Sequence, residues 1–529
     1  MNNWIERNRT YTLVDAIDNF SIAFAGMKFT NADLEQLGAK FERAAREMAK
    51  LEAGAIKNPD ENRKVTHFSD RINYPQSSLF AAVEEFAEKV RTGKITSQTG
   101  EKFDALVVNG IGGSALGPQL MQFAINGPYW NEKSIAQRNG YLKIYFLDNT
   151  DSAEFADLLE VMNPATTLHL VISKSGSTQE TKNNMIAMEN FYAEKGKSFA
   201  KHAIAITMKG SELDKHAKDS GFLAVFEMAD SIGGRTSETS IVGHLPAALT
   251  GINFKAFLKG ACKMDEWTRT ADPLKNPAMM LAAMWYIAGN GKGDRNMVIV
   301  PYSDRLILLS RYMQQLVMES LGKTLDLDGK KVYQGLNVFG NKGGTDAHAF
   351  IQQLNDGRDD FFVTFVEVMK DAKQISITDT NTMGNYLHGF LEGLSTALRE
   401  KNRQFITIRL QELNESTLGM IIALYERAVA IYAEFININA FHQPGVQAYK
   451  LAAKDILMLR ETLMKKIAEL KEVSGSAEEI AAMIGKPEQA VEVGGLLDKA
   501  AANCANITRE FCTKSNVWYY TIEAIAKLP

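Results

Sequence analysis

The chain has 529 residues, and its content of 45% hydrophobic and 23% charged residues is typical of a globular protein with a large core. This length predicts two or three domains. The formal net charge of −4 excludes a general electrostatic attraction to nucleic acid or to anionic lipid, so an anionic ligand has to be bound at a local site.

The first 100 residues (1–100) are predicted to form a helical segment that wraps around a core supplied by later parts of the chain. The opening residues Met1–Arg7 lack the apolar core of a secretory signal. The longest apolar stretch, Met279–Ala288, is too short to cross a bilayer. We therefore expect a cytoplasmic protein that does not bind membranes.

From Ala105 onwards, short apolar runs alternate with helical stretches, which is typical of parallel sheets covered by helices on both faces. A first set of predicted strands covers residues 105–108, 142–147, 168–172, 203–207 and 223–226. A second set covers residues 297–300, 332–339 and 361–369. The chain is therefore predicted to be an α/β protein with two tandem α/β domains, at 101–285 and 286–450.

A glycine-rich segment, Asn109–Pro118, follows the first predicted strand and contains Gly113 and Ser114. Glycines let backbone amides approach a ligand closely, and Ser114 begins a predicted helix. A dinucleotide-binding loop would need an acidic residue about 20 positions further on. Asp148 ends the next strand too late for that role, so the segment is predicted to bind a sugar or a phosphate, with a plain tight turn as the alternative.

The segment after the third predicted strand is rich in hydroxyl groups and opens onto a helix. Its side-chain donors are Ser173, Ser175, Ser177 and Thr178, and Lys174 adds a positive charge. Free backbone amides and the positive dipole end of a helix attract anions, so this loop is predicted to bind a phosphate. The alternative is an ordinary capping box formed by Ser177 and Glu180.

Two further segments supply an arginine and a carboxylate. Arg235 lies among small residues on a loop at 231–240, where it could stabilise a developing oxyanion, although a surface or salt-bridged arginine is the commoner outcome. Gln315 and Glu319 are four residues apart and share one face of a predicted helix. Glu319 is a candidate general base, and the alternative is an i,i+4 ion pair with Lys323.

A histidine and a lysine complete the candidates. His348 is one of eight histidines and follows a glycine turn, but a single histidine is more often structural than catalytic. Lys450 ends the segment Phe441–Lys450, in which a proline-glycine turn leads into a helix. Without further context a solvated lysine is the favoured interpretation.

The last segment, 451–529, is predicted to form a helical arm and a small extension. Part of it, 477–487, has the pattern of the first helix and the turn of a helix-turn-helix. Residues 473–529 hold five basic and seven acidic residues, a net charge of −2, whereas a phosphate backbone requires basic groups. We therefore expect a structural appendage and no binding of nucleic acid.

Taken together and in this order, the segments between Arg63 and Lys450 resemble the phosphoglucose isomerase family. The most specific pieces are the Gly-Gly-Arg loop and Phe441–Lys450. The resemblance implies two sugar-isomerase (SIS) α/β domains with parallel sheets flanked by helices, a helical C-terminal arm, and a cytosolic homodimer that needs no cofactor and no metal. The spacing of the three cysteines also matches no zinc or redox motif.

The resemblance also implies a role for each candidate residue in converting an aldose phosphate into a ketose phosphate. The implied phosphate ligands are Ser173, Lys174, Ser175 and Thr178, with Gly113 and Ser114 near the sugar. Glu319 would move a proton between C2 and C1, Arg235 would stabilise the enediolate, and Gln315 would line the pocket. His348 and Lys450 would serve ring opening, with His348 reaching the site from the neighbouring subunit.

This chain departs from the family pattern at Thr236, where an aromatic residue is usual, at Pro444, and in the extension beyond Ser474. A sugar-phosphate aminotransferase is an alternative, disfavoured because no cysteine lies near the N-terminus. A phosphosugar-binding regulator is another, but it would not need Glu319, Arg235 and Lys450 together.

Overall fold

The computed structural model describes residues 2–470 and 472–523. The chain divides into two compact units, Met1–His442 and Gln443–Pro529. Among the described residues, no helix combines the length and the apolar character that a membrane crossing requires.

The strands are β1 Thr12–Asp15, β2 Phe20–Ala23, β3 Ile56–Asn58, β4 Arg63–Lys64, β5 Ala105–Asn109, β6 Lys143–Leu147, β7 Thr167–Ile172, β8 Ala203–Thr207, β9 Ala224–Glu227, β10 Asn296–Tyr302, β11 Lys323–Leu325, β12 Lys331–Gln334, β13 Val338–Phe339, β14 Phe361–Val368, β15 Phe405–Leu410, β16 Val473–Ser476, β17 Ile507–Cys512 and β18 Val517–Ile522. The α-helices are α1 Asn2–Thr10, α2 Asn31–Gln36, α3 Gly38–Glu52, α4 His67–Asn73, α5 Ser78–Thr92, α6 Leu116–Asn126, α7 Ser152–Val161, α8 Gln179–Glu194, α9 Glu212–Ser220, α10 Ile241–Thr250, α11 Phe254–Trp267, α12 Pro277–Ala288, α13 Leu309–Met313, α14 Ile351–Asp356, α15 Met383–Glu400, α16 Glu415–Phe435, α17 Pro444–Leu470, α18 Ala477–Met483 and α19 Ala490–Asn503.

The first sheet of the larger unit has five parallel strands in the order β6-β5-β7-β8-β9. All residues of β5, β7 and β8 are buried, as expected for strands covered by helices on both faces. The predicted α/β fold is therefore confirmed for this half. Because the strands are parallel, the loops after β5 and β7 leave the sheet at the same edge.

The second sheet has the order β1-β2-β15-β14-β10-β13. Strands β10, β13, β14 and β15 are parallel, and the N-terminal hairpin β1–β2 joins antiparallel to β15. The strand predicted at 332–339 is divided, since β12 pairs with β11 outside the sheet and the short β13 pairs with β10. The N-terminal segment predicted as helical thus also supplies sheet strands.

A buried ionic network lies among the helices beside the second sheet. The Arg71 guanidinium contacts Asp265 at 2.6 Å and also pairs with Glu426. Arg427 contacts Glu52 at 2.6 Å and Asp265 at 3.2 Å. Each buried charge has a partner of opposite sign, and these pairs link α3, α4, α11 and α16.

The smaller unit packs α17 with α18, α19 and a three-stranded antiparallel sheet in the order β16-β18-β17. Its core includes Leu459, Leu463 and Ile467 of α17 and Tyr520 and Ile522 of β18. The order helix, strand, helix, helix, strand, strand, with the last strand in the middle, is that of a winged helix. The segment predicted as helical therefore also contains a small sheet.

Candidate active site

The glycine loop after β5 lies directly against the loop that carries Arg235. A Cβ atom added to Gly113 would lie 1.9 Å from the carbonyl oxygen of Gly234, so this approach requires glycine. The Ser237 hydroxyl donates to the carbonyl of Gly113 at 3.2 Å and holds the two loops together. The predicted sugar loop and the arginine loop are therefore neighbours.

Gln315 approaches the same glycine loop from the second half of the unit. Gly112 has φ +58°, and a Cβ atom there would lie 3.0 Å from the Gln315 amide nitrogen. A short 3₁₀ turn begins at Gly112 and ends at Ser114, and Ser114 is half-buried. The structure thus brings Gly113, Ser114 and Gln315 to one place, as the sequence predicted.

The Arg235 side chain is 6% exposed and is held by four contacts. Its Nη1 lies 3.2 Å from Glu319 Oε2, and its Nε donates to the Ser320 hydroxyl at 2.7 Å. Its Nη2 donates to the carbonyls of Ala440 at 2.8 Å and His442 at 3.1 Å. Burial lowers the pKa of this guanidinium, and the Glu319 charge opposes that effect. The alternative of a surface arginine is therefore wrong, whereas the alternative of a salt-bridged arginine agrees with the pair formed with Glu319.

Glu319 ends a six-residue π-helical segment, Gln314–Glu319, that continues α13. Its side chain is 23% exposed, so one part faces Arg235 while another stays accessible. Such π-helical turns occur frequently at functional sites. Lys323 donates to the main-chain carbonyl of Glu319 at 2.8 Å, while the carboxylate contacts Arg235. The ion pair that was the alternative interpretation is thus replaced by a pair with Arg235.

The hydroxyl-rich loop between β7 and α8 is bonded largely to itself. Ser173 donates to the Thr178 hydroxyl at 3.3 Å, and the Ser175 and Ser177 hydroxyls lie 2.8 Å apart. The N-cap of α8 is Thr178, and in the part of the chain that the structure describes it makes no side-chain cap bond. The capping box of Ser177 and Glu180 is therefore wrong. The amides at the start of α8 therefore lack a side-chain cap among the described residues, and such amides can receive an anion.

Lys174 connects the hydroxyl-rich loop to the base of the arginine loop. Its ammonium pairs with the Asp230 carboxylate at 3.0 Å, and it donates to the carbonyls of Asp230 and Ile232, the latter at 3.1 Å. Burial, followed by the charge of Arg63, lowers the pKa of this lysine. An arriving phosphate would therefore compete with Asp230 for Lys174.

His348 lies outside this cluster, and Lys450 belongs to the other compact unit. His348 is exposed on a 3₁₀ turn, Thr345–His348, after β13. No hydrogen bond or ion pair among the described residues connects it to Glu319 or Arg235. Lys450 belongs to the smaller unit, where it is exposed near the start of α17.

Two buried groups next to the site were missed by the sequence reasoning. Glu238 is 1% exposed, neither carboxylate oxygen has a partner within the described residues, and burial raises its pKa well above the usual range. His67 is 1% exposed, and burial and nearby arginines lower its pKa. His67 lines a cavity of about 20 Å³ behind Arg235, enough for about one water. Glu238 follows Arg235 by three residues, but no feature of the sequence predicts that its side chain is buried.

One cluster elsewhere has the residue types of a metal site. The ligand atoms of Glu367, His388 and Glu392 lie within 4.8 Å of one another. Arg409, however, lies 2.7 Å from the Glu367 carboxylate and also pairs with Glu392. Arg409 and His388 already pair with these carboxylates, and we interpret the cluster as an ion-pair network.

Comparisons with known proteins show the family to which this chain belongs. The family model of phosphoglucose isomerase matches residues 34–394 and 390–475. The chain is 45% identical to the glucose-6-phosphate isomerase of Geobacter sulfurreducens over 94% of this chain and 95% of that protein. It is 47% identical to that of Nostoc punctiforme over 90% of this chain and 91% of that protein. A crystal structure of a glucose-6-phosphate isomerase from Chlamydia trachomatis superimposes with a TM-score of 0.76 at 28% identity, covering 86% of this chain and 91% of that one. The chain therefore belongs to the phosphoglucose isomerase family.

Proposed function

We propose that this member of the phosphoglucose isomerase family interconverts glucose 6-phosphate and fructose 6-phosphate, with Glu319 as the group that carries the proton. The observation that supports this role best is the buried contact of 3.2 Å between Arg235 and Glu319, beside the glycine loop. It combines a carboxylate that can accept a proton with a cation that can stabilise the resulting oxyanion.

The phosphate of the substrate binds at the hydroxyl-rich loop and the N-terminus of α8. Ser173, Ser175 and Thr178 donate hydroxyl hydrogen bonds, and Lys174 supplies a charge when Asp230 releases it. Binding of this non-reacting group orients C1 and C2 against Glu319, so that remote binding energy supports the chemical step.

In the chemical step Glu319 removes the proton from C2 of the open-chain aldose, and a cis-enediolate forms. The same carboxylic acid then returns the proton to C1, which gives the ketose. Arg235 stabilises the negative oxygen of the intermediate, a contribution of about 3 kcal/mol for a well-placed donor. The aldose and the ketose have the same overall oxidation level, so the reaction requires no redox cofactor.

Ring opening is assigned to Lys450 and to His348 of the partner subunit in a cytoplasmic homodimer. This assignment comes from the family resemblance. The exposure of His348 on a turn is consistent with it, since a residue donated to another subunit must be accessible in the single chain.

The proposed function is tested by incubating the purified protein with fructose 6-phosphate and measuring glucose 6-phosphate with a coupled dehydrogenase. We expect turnover without added metal or cofactor, and competitive inhibition by inorganic phosphate. Absence of turnover would contradict the proposed reaction. Turnover without phosphate inhibition would contradict the assignment of the phosphate loop.

A further inference from the structure

Lys323 is a buried lysine directly behind the Arg235–Glu319 pair. It follows the π-helical segment and is 4% exposed. Its ammonium donates to the main-chain carbonyls of Glu319 at 2.8 Å and of Ser320 at 2.7 Å. In both bonds the acceptor belongs to the main chain, so Lys323 holds the backbone of the residues that face Arg235.

Burying this ammonium is unfavourable. Burial, followed by the charge of Arg235, lowers the pKa of Lys323 to about 7, and the charge of Glu319 opposes them. The carbonyls at the end of a helix lack partners within the helix and need donors from elsewhere. Lys323 provides these donors where the π-helical turn ends, a role that lysine often has near helix C-termini.

The two carbonyls belong to the residues that orient Arg235. Glu319 contacts Arg235 Nη1 at 3.2 Å, and the Ser320 hydroxyl accepts a hydrogen bond from Arg235 Nε at 2.7 Å. A shift of this backbone would therefore move the carboxylate and the hydroxyl together. A displacement of about 1 Å at reacting groups can reduce a rate about a hundredfold.

We propose that Lys323 is a positioning residue that fixes the main chain of Glu319 and Ser320, and thereby the geometry of the Arg235–Glu319 pair. This inference rests on the proposed role of Glu319 as the base. Lys323 does not contact the substrate, so its effect falls on the chemical step and leaves phosphate binding unchanged.

The test is the substitution Lys323→Met, which keeps the unbranched shape of the side chain and removes the ammonium that donates both bonds. We expect kcat to fall at least about tenfold, while KM and the inhibition constant of inorganic phosphate stay within about twofold. Should this variant fail to fold, Lys323→Gln serves the same purpose, since its shorter amide cannot reach both carbonyls.

A matched control is Lys40→Met. Lys40 donates to the carbonyl of Phe435 at the end of α16, with a distance of 2.6 Å, so it makes the same kind of bond away from the arginine–glutamate pair. We expect this variant to change thermal stability and to leave kcat unchanged. An equal loss of kcat in both variants, or a kcat within twofold of the original in Lys323→Met, would overturn the inference. An active Glu319→Gln variant would instead overturn the proposed function.

Discussion

The two halves of the site are built differently. Arg235 is buried, and four contacts fix its guanidinium before any substrate arrives. The hydroxyl-rich loop is more open, since Ser175 and Ser177 are exposed and its bonds run mainly between its own residues. If the residues act as proposed, rigidity is concentrated where bonds change, while the groups that bind the phosphate can exchange partners with the ligand.

The largest effect is expected from Glu319→Gln, which keeps the size of the side chain and removes the base. We expect kcat to fall about a thousandfold with little change in KM, because the group contacts the reacting carbons and not the phosphate. Steady-state kinetics measures this, with Glu400→Gln on the surface of α15 as the control. Retained turnover would show that the proton is not transferred at the Arg235–Glu319 pair.

Arg235→Lys should have the second largest effect. It keeps the positive charge but loses the planar guanidinium. That group contacts Glu319, Ser320 and the carbonyls of Ala440 and His442. We expect kcat to fall about a hundredfold, the usual loss for an oxyanion donor. Arg46→Lys, at an exposed position, is the control. A change confined to KM would mean that Arg235 binds the substrate without stabilising the intermediate.

Thr178→Val tests the hydroxyl-rich loop. It removes one hydroxyl from the phosphate loop and keeps the shape of the side chain. We expect KM to rise about tenfold, as for the loss of a hydrogen bond to a charged group, and kcat to change much less. The control is Thr150→Val in an exposed loop. A loss confined to kcat would contradict the division between the two halves.

Asp230→Asn should give the smallest effect. Unlike the other substitutions, it should strengthen the binding of phosphate. Removing the carboxylate that pairs with Lys174 at 3.0 Å frees the ammonium for the ligand. An exposed ion pair contributes at most about 1 kcal/mol, so we expect inorganic phosphate to inhibit up to about fivefold more strongly. Weaker inhibition would mean that Asp230 supports the phosphate loop and does not compete with the ligand.

Much of the fold and of the site could be predicted from the sequence. Strand β7 is a continuous apolar run that ends at a hydroxyl cluster, and both features follow from local composition. Strand β15 was missed because Thr407 and Arg409 interrupt its apolar residues, so it lacks the continuous apolar run of β7. Strand β18 was missed because exposed and buried residues mix along it without a regular alternation.

In the site, the candidate residues could be predicted from the sequence, but their local backbone conformation and their burial could not. Arg235 and Glu319 were identified individually, but the π-helical turn between α13 and Ser320 depends on tertiary contacts. The burial of Glu238 depends on its packing against Gly117, more than a hundred residues away in sequence. The domain boundaries at 101, 286 and 451 and the roles of all the site residues, including Glu319 and Arg235, stay predictions.

The most direct test of Glu319 as proton carrier is isomerisation of fructose 6-phosphate in heavy water, with the product analysed by nuclear magnetic resonance. The protein should give glucose 6-phosphate that carries deuterium at C2, because the carboxylic acid exchanges its proton with solvent between the two transfers. Under the same conditions Glu319→Gln should form labelled product about a thousandfold more slowly. Labelled product formed by Glu319→Gln at the rate of the original protein would contradict a proton transfer through this carboxylate.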